Sequence, residues 1–394
     1  MKFDLHDVPE RVSTGTLPAP DLVEEFVEEA HQRNQSLEGG SVADYIPALA
    51  DADPNLFGVS VVDVSGDAHD AGDTDHAFSI QSISKAFVYA LVCEELGHDA
   101  TYERVGVNNT GMPFNSVVAI ELNDGHPMNP MVNAGALTTT SLAPGTGDEQ
   151  WRWIWKGLSA FAGRHLVLDD DVYRSERAGN QRNQAIARLL ESYGRIEKDP
   201  LEVVDVYTKQ CSLLVTARDL AVMGATLADG GVNPITKERV VAPHVCRDTL
   251  AVLAANGLYE RSGEWLFEVG IPGKSGVSGG IVTVAPGKAG IGVFSPPLDD
   301  AGNSVRGKQA TAFLSRALGL NVFASDAFAE ASMTATAEAA DDDDASGEEI
   351  DERAHDLSDQ EEAREDAEDA AAFDDAMAEK GDNVPWNQVK ADLD

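Results

Sequence analysis

An α+β fold is what this sequence predicts: a mostly antiparallel sheet flanked by helices, with a helical subdomain inserted in its middle. Three observations carry the prediction. Residues 56–64 alternate and are rich in Val, residues 280–294 hold two apolar runs around a Pro-Gly-Lys turn, and about 101–260 between them follows helical periods. Strands at both ends with helices between them imply one sheet assembled from distant segments. The crevice between the parts is then the natural pocket. The folded domain is expected over residues 1–335, followed by an acidic, disordered tail over 336–394.

Each element has its own signal. Asp21 to Gln32 reads as a helix, with Asp21 as its N-cap before apolar and acidic residues. Leu56 to Val64 reads as a strand, turned by Ser65-Gly66-Asp67. His76 to Ile80 looks like another strand, running straight into a buried helix from Ser82 to Val92. Asn183–Ser192 and Ala217–Ala228 are helical in period. Gly280–Ala285 and Ala289–Phe294 form a hairpin around Pro286-Gly287-Lys288, and a last helix spans Gly307 to Leu318. Beyond Ala331 the chain turns to Ala, Asp and Glu, with the run Asp341-Asp342-Asp343-Asp344. Low hydrophobicity and high charge cannot offset the entropy of ordering, so at most a short helix around Glu361 to Met377 is expected there.

Composition narrows the function classes. The chain has 394 residues, of which 43% are hydrophobic, enough for a sizeable core. No apolar run approaches the ~20 residues of a membrane span. The first residues, Met1-Lys2-Phe3-Asp4-Leu5-His6-Asp7, lack the pattern of a secretory signal, so a cytoplasmic protein is expected. Cys93, Cys211 and Cys246 are an odd, widely spaced set that suits reduced thiols, at least two of them buried, rather than a disulfide framework or zinc site. The net charge is −39. Residues 338–394 hold 23 Asp and Glu against 4 Lys and Arg, a net of −19, which leaves −20 for residues 1–337. Such a surface repels nucleic acid and anionic lipid. It suits a cytoplasm at molar salt, where the Debye length is ~3 Å.

Two motifs point to chemistry. Ser82-Ile83-Ser84-Lys85 is an S-x-x-K, and residues three apart on a helix share a face. A desolvated lysine there can activate the serine, and first-turn N–H groups can serve a developing oxyanion. Alone, the pattern is weak and reads first as a capping serine and a surface lysine. Lys274-Ser275-Gly276 before the hairpin changes the balance, because serine acyl-transferases of the penicillin-recognising type place K-T-G or K-S-G there. A strand edge at that point sets a cation, a hydroxyl and a backbone N–H against the nucleophile. A third element of those enzymes, S-x-N or Y-x-N, has no clean match.

The wider sequence resembles the serine-dependent glutaminase family. The matching stretches are Val42-Ala43-Asp44-Tyr45-Ile46-Pro47, Phe78 to Lys85, Pro113-Phe114-Asn115-Ser116 and Asn129 to Ala136. Further on come Tyr173-Arg174-Ser175-Glu176 with Arg182-Asn183, Tyr207 to Ser212, Gly273 to Gly280, and Gly302-Asn303-Ser304-Val305. The resemblance covers about Val42 to Phe323 and implies a serine β-lactamase-like fold that hydrolyses L-glutamine to L-glutamate and ammonia. It implies Ser82 as nucleophile, Lys85 as its activating amine, and Asn133, Glu176, Asn183, Tyr207 and Tyr259 around the substrate. The N–H groups of Val277 and Ser82 would form the oxyanion hole, and Tyr45 one wall. Tyr259 has the family's spacing to Val277, although its neighbours Glu260-Arg261-Ser262-Gly263 depart from the usual pattern.

Glutamine presents an ammonium, a carboxylate and a neutral amide. Glu176 suits the ammonium, Asn133 and Asn183 the carboxylate, and Tyr207 or Tyr259 can pass a proton to departing ammonia. Taken singly, Glu176 reads as a solvated helix charge and the tyrosines as core residues; their order within the resemblance favours function. No cofactor or metal is implied, since His98, His126 and His244 show no paired ligand spacing. The resemblance suggests a homo-oligomer, dimer or tetramer. Two other readings stand: a different S-x-x-K acyl-transferase, such as a β-lactamase, peptidase or esterase, and a catalytically silent glutamine-binding protein. Ammonia release from glutamine, with asparagine as control, separates them.

Overall fold

A computed structural model describes residues 15–325 of the chain. The tail expected over 336–394, with its short helix at Glu361 to Met377, lies outside the described residues. In chain order, α1 (Pro20–Asn34) and the single turn α2 (Pro47–Ala50) precede strands β1 (Gly58–Asp63), β2 (Ala68–Gly72) and β3 (Phe78–Ser79). A 3-10 turn at Gln81–Ile83 opens α3 (Ser84–Leu96), followed by α4 (His98–Tyr102), α5 (Val118–Glu121), α6 (Asn133–Leu142) and α7 (Gly147–Ala162). Then come β4 (Val167–Leu168), α8 (Asp170–Gly179), α9 (Gln181–Ser192), α10 (Pro200–Cys211), β5 (Leu213–Val215) and α11 (Ala217–Ala228). The last elements are α12 (Pro243–Asn256), a 3-10 turn at Tyr259–Arg261, α13 (Ser262–Glu268), β6 (Gly273–Ser275), β7 (Gly280–Ala285), β8 (Ala289–Phe294) and α14 (Val305–Ala317).

The main sheet runs β2-β1-β8-β7-β6 with every neighbouring pair antiparallel, so its strands come from both ends of the domain. A smaller sheet, β3-β5-β4, lies among the helices. Alternation along the strands assigns their faces. Val59, Val61, Ile291 and Val293 pack with Val23 and Val27 of α1 and Ala310 and Phe313 of α14. Val62 turns the other way, onto Ala221, Val222 and Ala225 of α11. Although α11 lies in the helical stretch of the sequence, it therefore packs on the sheet. That approach depends on glycine: a Cβ at Gly290 would strike the Ala221 carbonyl and Ala225 amide, and one at Gly292 the Ala217 carbonyl.

α3 is the axis of the other half. All ten residues from Ser84 to Cys93 are buried, among Phe161 and Leu158 of α7, Val206 of α10 and Leu253 of α12. A helix buried on all sides needs no amphipathic stripe, which suits the apolar run over residues 86–93 that follows Ser84 and Lys85.

Several expectations from sequence are corrected. Asp21 is not an N-cap: Ala19 holds that position, Pro20 opens α1 and Asp21 sits in the first turn, where its charge still suits the helix dipole. The strand expected over His76 to Ile80 is only Phe78–Ser79 and pairs with β5, not with the main sheet. Ser82 does not begin the long helix; it occupies the 3-10 turn before it. The 280–294 hairpin and α11 lie where the sequence places them, and the final helix starts two residues earlier.

Candidate active site

The centre of the site is the junction between β3 and α3. Pairing ends at Ile80, whose N–H donates to the Leu213 carbonyl at 2.8 Å. The backbone then reverses through Gln81, which has φ +51° despite carrying a side chain. Four non-glycine residues among those described adopt positive φ, and two of them, Gln81 and Tyr259, adjoin Ser82. Strain of this kind persists only where surrounding structure over-determines it. The turn leaves Ser82 half-buried between the buried neighbours Gln81 and Ile83.

Lys85 follows one turn later and is fully buried. Its Nζ donates to Asn133 Oδ1 at 2.7 Å and to the Met131 carbonyl at 3.1 Å. The rings of Phe114 and Tyr207 stand 5.9 and 6.0 Å from it. Burial lowers its pKa to about 8, so a neutral amine is accessible near physiological pH. Two of its three hydrogen-bonding directions are thus taken up by protein acceptors.

The edge strand β6 brings the second lysine. Lys274 is fully buried, donates to the Ser275 carbonyl at 2.7 Å, and lies 4.2 Å from the centre of the Tyr259 ring. Burial drives its pKa well down, and the nearby charge of Lys85 adds to the effect. Tyr259, with φ +58°, points its hydroxyl at the Ser275 carbonyl, 3.3 Å away, and within reach of the Ser82 hydroxyl. Burial pushes its pKa up to about 12, which keeps it a proton donor.

The next turn, residues 276–279, is closed by Gly276 N–H on the Gly280 carbonyl and Gly279 N–H on the Gly276 carbonyl. Gly276 fits against the Ile80 carbonyl and Gln81 Cβ, where any side chain would crowd the turn at Ser82. Among the described residues the Val277 N–H has no acceptor, and the Ser82 N–H is a first-turn donor.

Polar groups from the helices complete the site. Glu176 on α8 accepts from Gln81 Nε2 at 2.5 Å, and burial raises its pKa to about 7. Asn133 at the start of α6 donates through Nδ2 to Asn183 Oδ1 on α9 at 2.9 Å, so Lys85, Asn133 and Asn183 form one chain. Tyr207 on α10 is buried with its hydroxyl paired to Cys211, and both effects hold its pKa well above 10. Tyr45 is 65% exposed, yet desolvation at its hydroxyl end, then Tyr259 and Glu176, raise its pKa. It borders the crevice with its ring edge in water.

The fold thus gathers Ser82 and Lys85, Asn133, Glu176, Asn183, Tyr207, Tyr259 and Val277 from seven separate segments. Gln81 joins them without a role read from sequence; its one signal there is its place directly before Ser82. Volume does not locate this site. A cavity of about 570 Å³ is lined by Arg177, Asp205 and Lys209 and does not include Ser82. A cavity of about 210 Å³ reaches Ser79 and Val277 from the Ala43 side. No cluster of three or more potential metal ligands occurs among the described residues. All three cysteines are buried and unpaired.

Comparison with known proteins adds three findings. A family model described as Glutaminase matches residues 40–323. "Glutaminase 2" of Yersinia pestis is 54% identical over 320 residues, covering 81% of this chain and 94% of the relative; "Glutaminase" of Brucella canis is 50% identical over 304 residues, 77% and 96%. The solved structure described as probable glutaminase ybaS superposes with a TM-score of 0.77 at 45% identity, covering 78% of this chain and all of that one.

Proposed function

The chain belongs to the glutaminase family, and from that premise we propose that it hydrolyses L-glutamine through a glutamyl ester on Ser82. It is a hydrolase acting on the amide of glutamine, with the serine β-lactamase-like fold of its relatives. In the proposed reaction, neutral Lys85 takes the Ser82 proton as Oγ attacks the amide carbon. The oxyanion is held by the N–H groups of Ser82 and Val277. The C–N bond breaks as the Tyr259 hydroxyl protonates the leaving nitrogen and is reprotonated from Lys85, so ammonia departs. Water then attacks the ester, its proton passes to Lys85, and Ser82 Oγ recovers a proton as glutamate leaves. Glu176 would bind the α-ammonium, and the Asn133–Asn183 pair and Tyr207 the α-carboxylate end.

The observation that carries this reading is the fully buried Lys85 amine, with a pKa of about 8, one turn beyond a half-buried serine that Tyr259 also reaches. Ser82→Ala should abolish ammonia release and leave the fold intact. Lys85→Ala should lose most activity, and the double variant should be no worse than the single ones, because the two groups act as a unit. Substantial ammonia release by purified Ser82→Ala would end the mechanism; release from asparagine at the same rate would end the specificity.

The proposal places the catalytic unit in residues 1–335, with 101–260 as its mainly helical part, and leaves 336–394 outside the chemistry. All residues it uses fall between Tyr45 and Val277. A cytoplasmic setting suits three unpaired buried thiols, and a salt-rich one suits the −20 of residues 1–337. Nucleic acid and membranes are not partners on the same charge argument. No helix among the described residues is long and apolar enough to cross a membrane. Assembly as a homodimer or tetramer would cover the exposed apolar side chains Val118, Leu122 and Tyr193.

A further inference from the structure

Ser84 lies inside the S-x-x-K motif, yet the mechanism above gives it nothing to do. It is fully buried and touches no solvent-facing part of the site. Its hydroxyl donates to the Gln81 carbonyl at 2.7 Å and accepts from Gln210 Nε2 at 3.2 Å. Gln210, also fully buried, is fixed in turn by Thr140, whose hydroxyl donates to its Oε1 at 3.2 Å. On its other side Ser84 Oγ stands 4.0 Å from Cys211 Sγ, the group paired with the Tyr207 hydroxyl. A chain of buried polar groups therefore runs from α6 through α10 to the one peptide unit that directly precedes Ser82.

That peptide unit is the strained one. With φ +51°, Gln81 occupies a region that is unfavourable for a residue with a side chain. Its side chain is held by Glu176 and Ser79, and its carbonyl by Ser84. Without the Ser84 hydroxyl the carbonyl keeps only the backbone N–H of Ser84 as a donor, so the turn is held less tightly and can shift toward ordinary φ, carrying the Ser82 hydroxyl with it.

We propose that Ser84 is a positioning residue for the reaction: its hydroxyl, braced by Gln210, locks the strained Gln81 peptide and so aims Ser82 at the substrate amide. The inference rests on the reading of Ser82 as nucleophile. It does not act on the substrate itself, so its loss should lower the reactivity of Ser82 while leaving the binding groups Glu176, Asn183 and Tyr207 in place. A misplacement of about 1 Å at a reacting atom costs on the order of 100-fold in rate.

The test compares the parent, Ser84→Ala, Ser84→Cys and Ser82→Ala. Three quantities are measured: labelling rate by a glutamine analogue bearing an electrophile at the amide position, turnover, and binding of L-glutamate, which needs no chemistry. Ser84→Ala should lose ~30–100-fold in labelling and in kcat, with glutamate affinity changed less than ~3-fold. Ser84→Cys keeps the shape with a weaker donor and should fall between the two; if Ser84→Ala does not fold, this variant decides by the same measurements. Labelling at the parental rate overturns the proposal. So does a parallel collapse of labelling and glutamate affinity, which marks a general packing role. Parental labelling of Ser82→Ala would instead overturn the nucleophile assignment, so the two failures are distinct.

Discussion

Replacing Glu176 by Gln should make the free protein more stable and the enzyme worse, with a pH dependence that identifies the cause. Glu176 is partly buried with one close partner, Gln81 Nε2, and desolvation raises its carboxyl from the ordinary 4.5 to about 7. The folded state therefore holds a proton on this group that the unfolded state has released between pH 4.5 and 7. Stability from this source is present below pH 4.5, declines as pH rises, and is lost above about 7. At ~1.4 kcal/mol for each pH unit between the two values, ionised Glu176 costs the folded protein roughly 3 kcal/mol at pH 8.5. That figure already includes the Gln81 bond, which holds the value down.

Glutamine at 176 mimics the protonated acid, so Glu176→Gln should melt roughly 5 °C higher than the parent at pH 8.5. At pH 4.5 the two should converge. Glutamine binding should weaken by ~1.5–3 kcal/mol, the scale of a hydrogen bond to a charged group. Melting curves at the two pH values, with kcat/KM for glutamine and N-acetylglutamine, check both halves. A variant less stable at pH 8.5, or equally stabilised at both pH values, refutes the desolvation argument. Unchanged glutamine affinity, or equal hydrolysis of N-acetylglutamine by the parent, refutes the ammonium role.

Lys85 must be neutral to take the Ser82 proton, so kcat/KM should climb as pH rises through about 8; a profile flat from pH 6 to 9 would remove it as the base. Gly290→Ala drives a Cβ into the backbone of α11 and should cost at least 1–3 kcal/mol in denaturant unfolding. Gly287→Ala, at an open turn with φ +73°, should cost only ~1 kcal/mol; equal losses would mean the helix–sheet approach is not tight. If carboxylate repulsion in residues 1–337 sets the salt response, the full chain and a chain ending near Ala340 should both melt markedly higher in molar than in low KCl. Equal melting of the full chain at both salts would remove the high-salt reading, and loss of the response on truncation would move it to the tail.

What could be read from sequence follows from how local each signal is. The 280–294 hairpin and α11 could be placed because a tight turn and an unbroken period are local facts. The helix start could not, since Pro20 and the geometry of Ala19 override the capping preference of Asp21. β2 left no trace, because Ala68–Gly72 is a half-exposed edge strand without apolar alternation. Strands β4 and β5, two and three residues long, are too short to show a period. Ser82, Lys85 and Lys274 were visible through spacing. Asn133, Glu176, Asn183 and Tyr207 were visible only through resemblance, since four different helices bring them together.

The site positions that break local rules share one physical character. Lysine is almost never fully buried and non-glycine residues rarely take positive φ, yet Lys85, Lys274, Gln81 and Tyr259 do these things within one small volume. Each departure costs stability where it stands. The surrounding fold supplies it from ordinary sources: the apolar core around α3, and the valine-rich sheet clamped between α1, α14 and α11. Conflict with local rules is therefore a signal in itself. In this chain it falls on the peptide before Ser82 and on the tyrosine beside it, and nowhere else in the described sheet or its flanking helices does a non-glycine residue take that conformation.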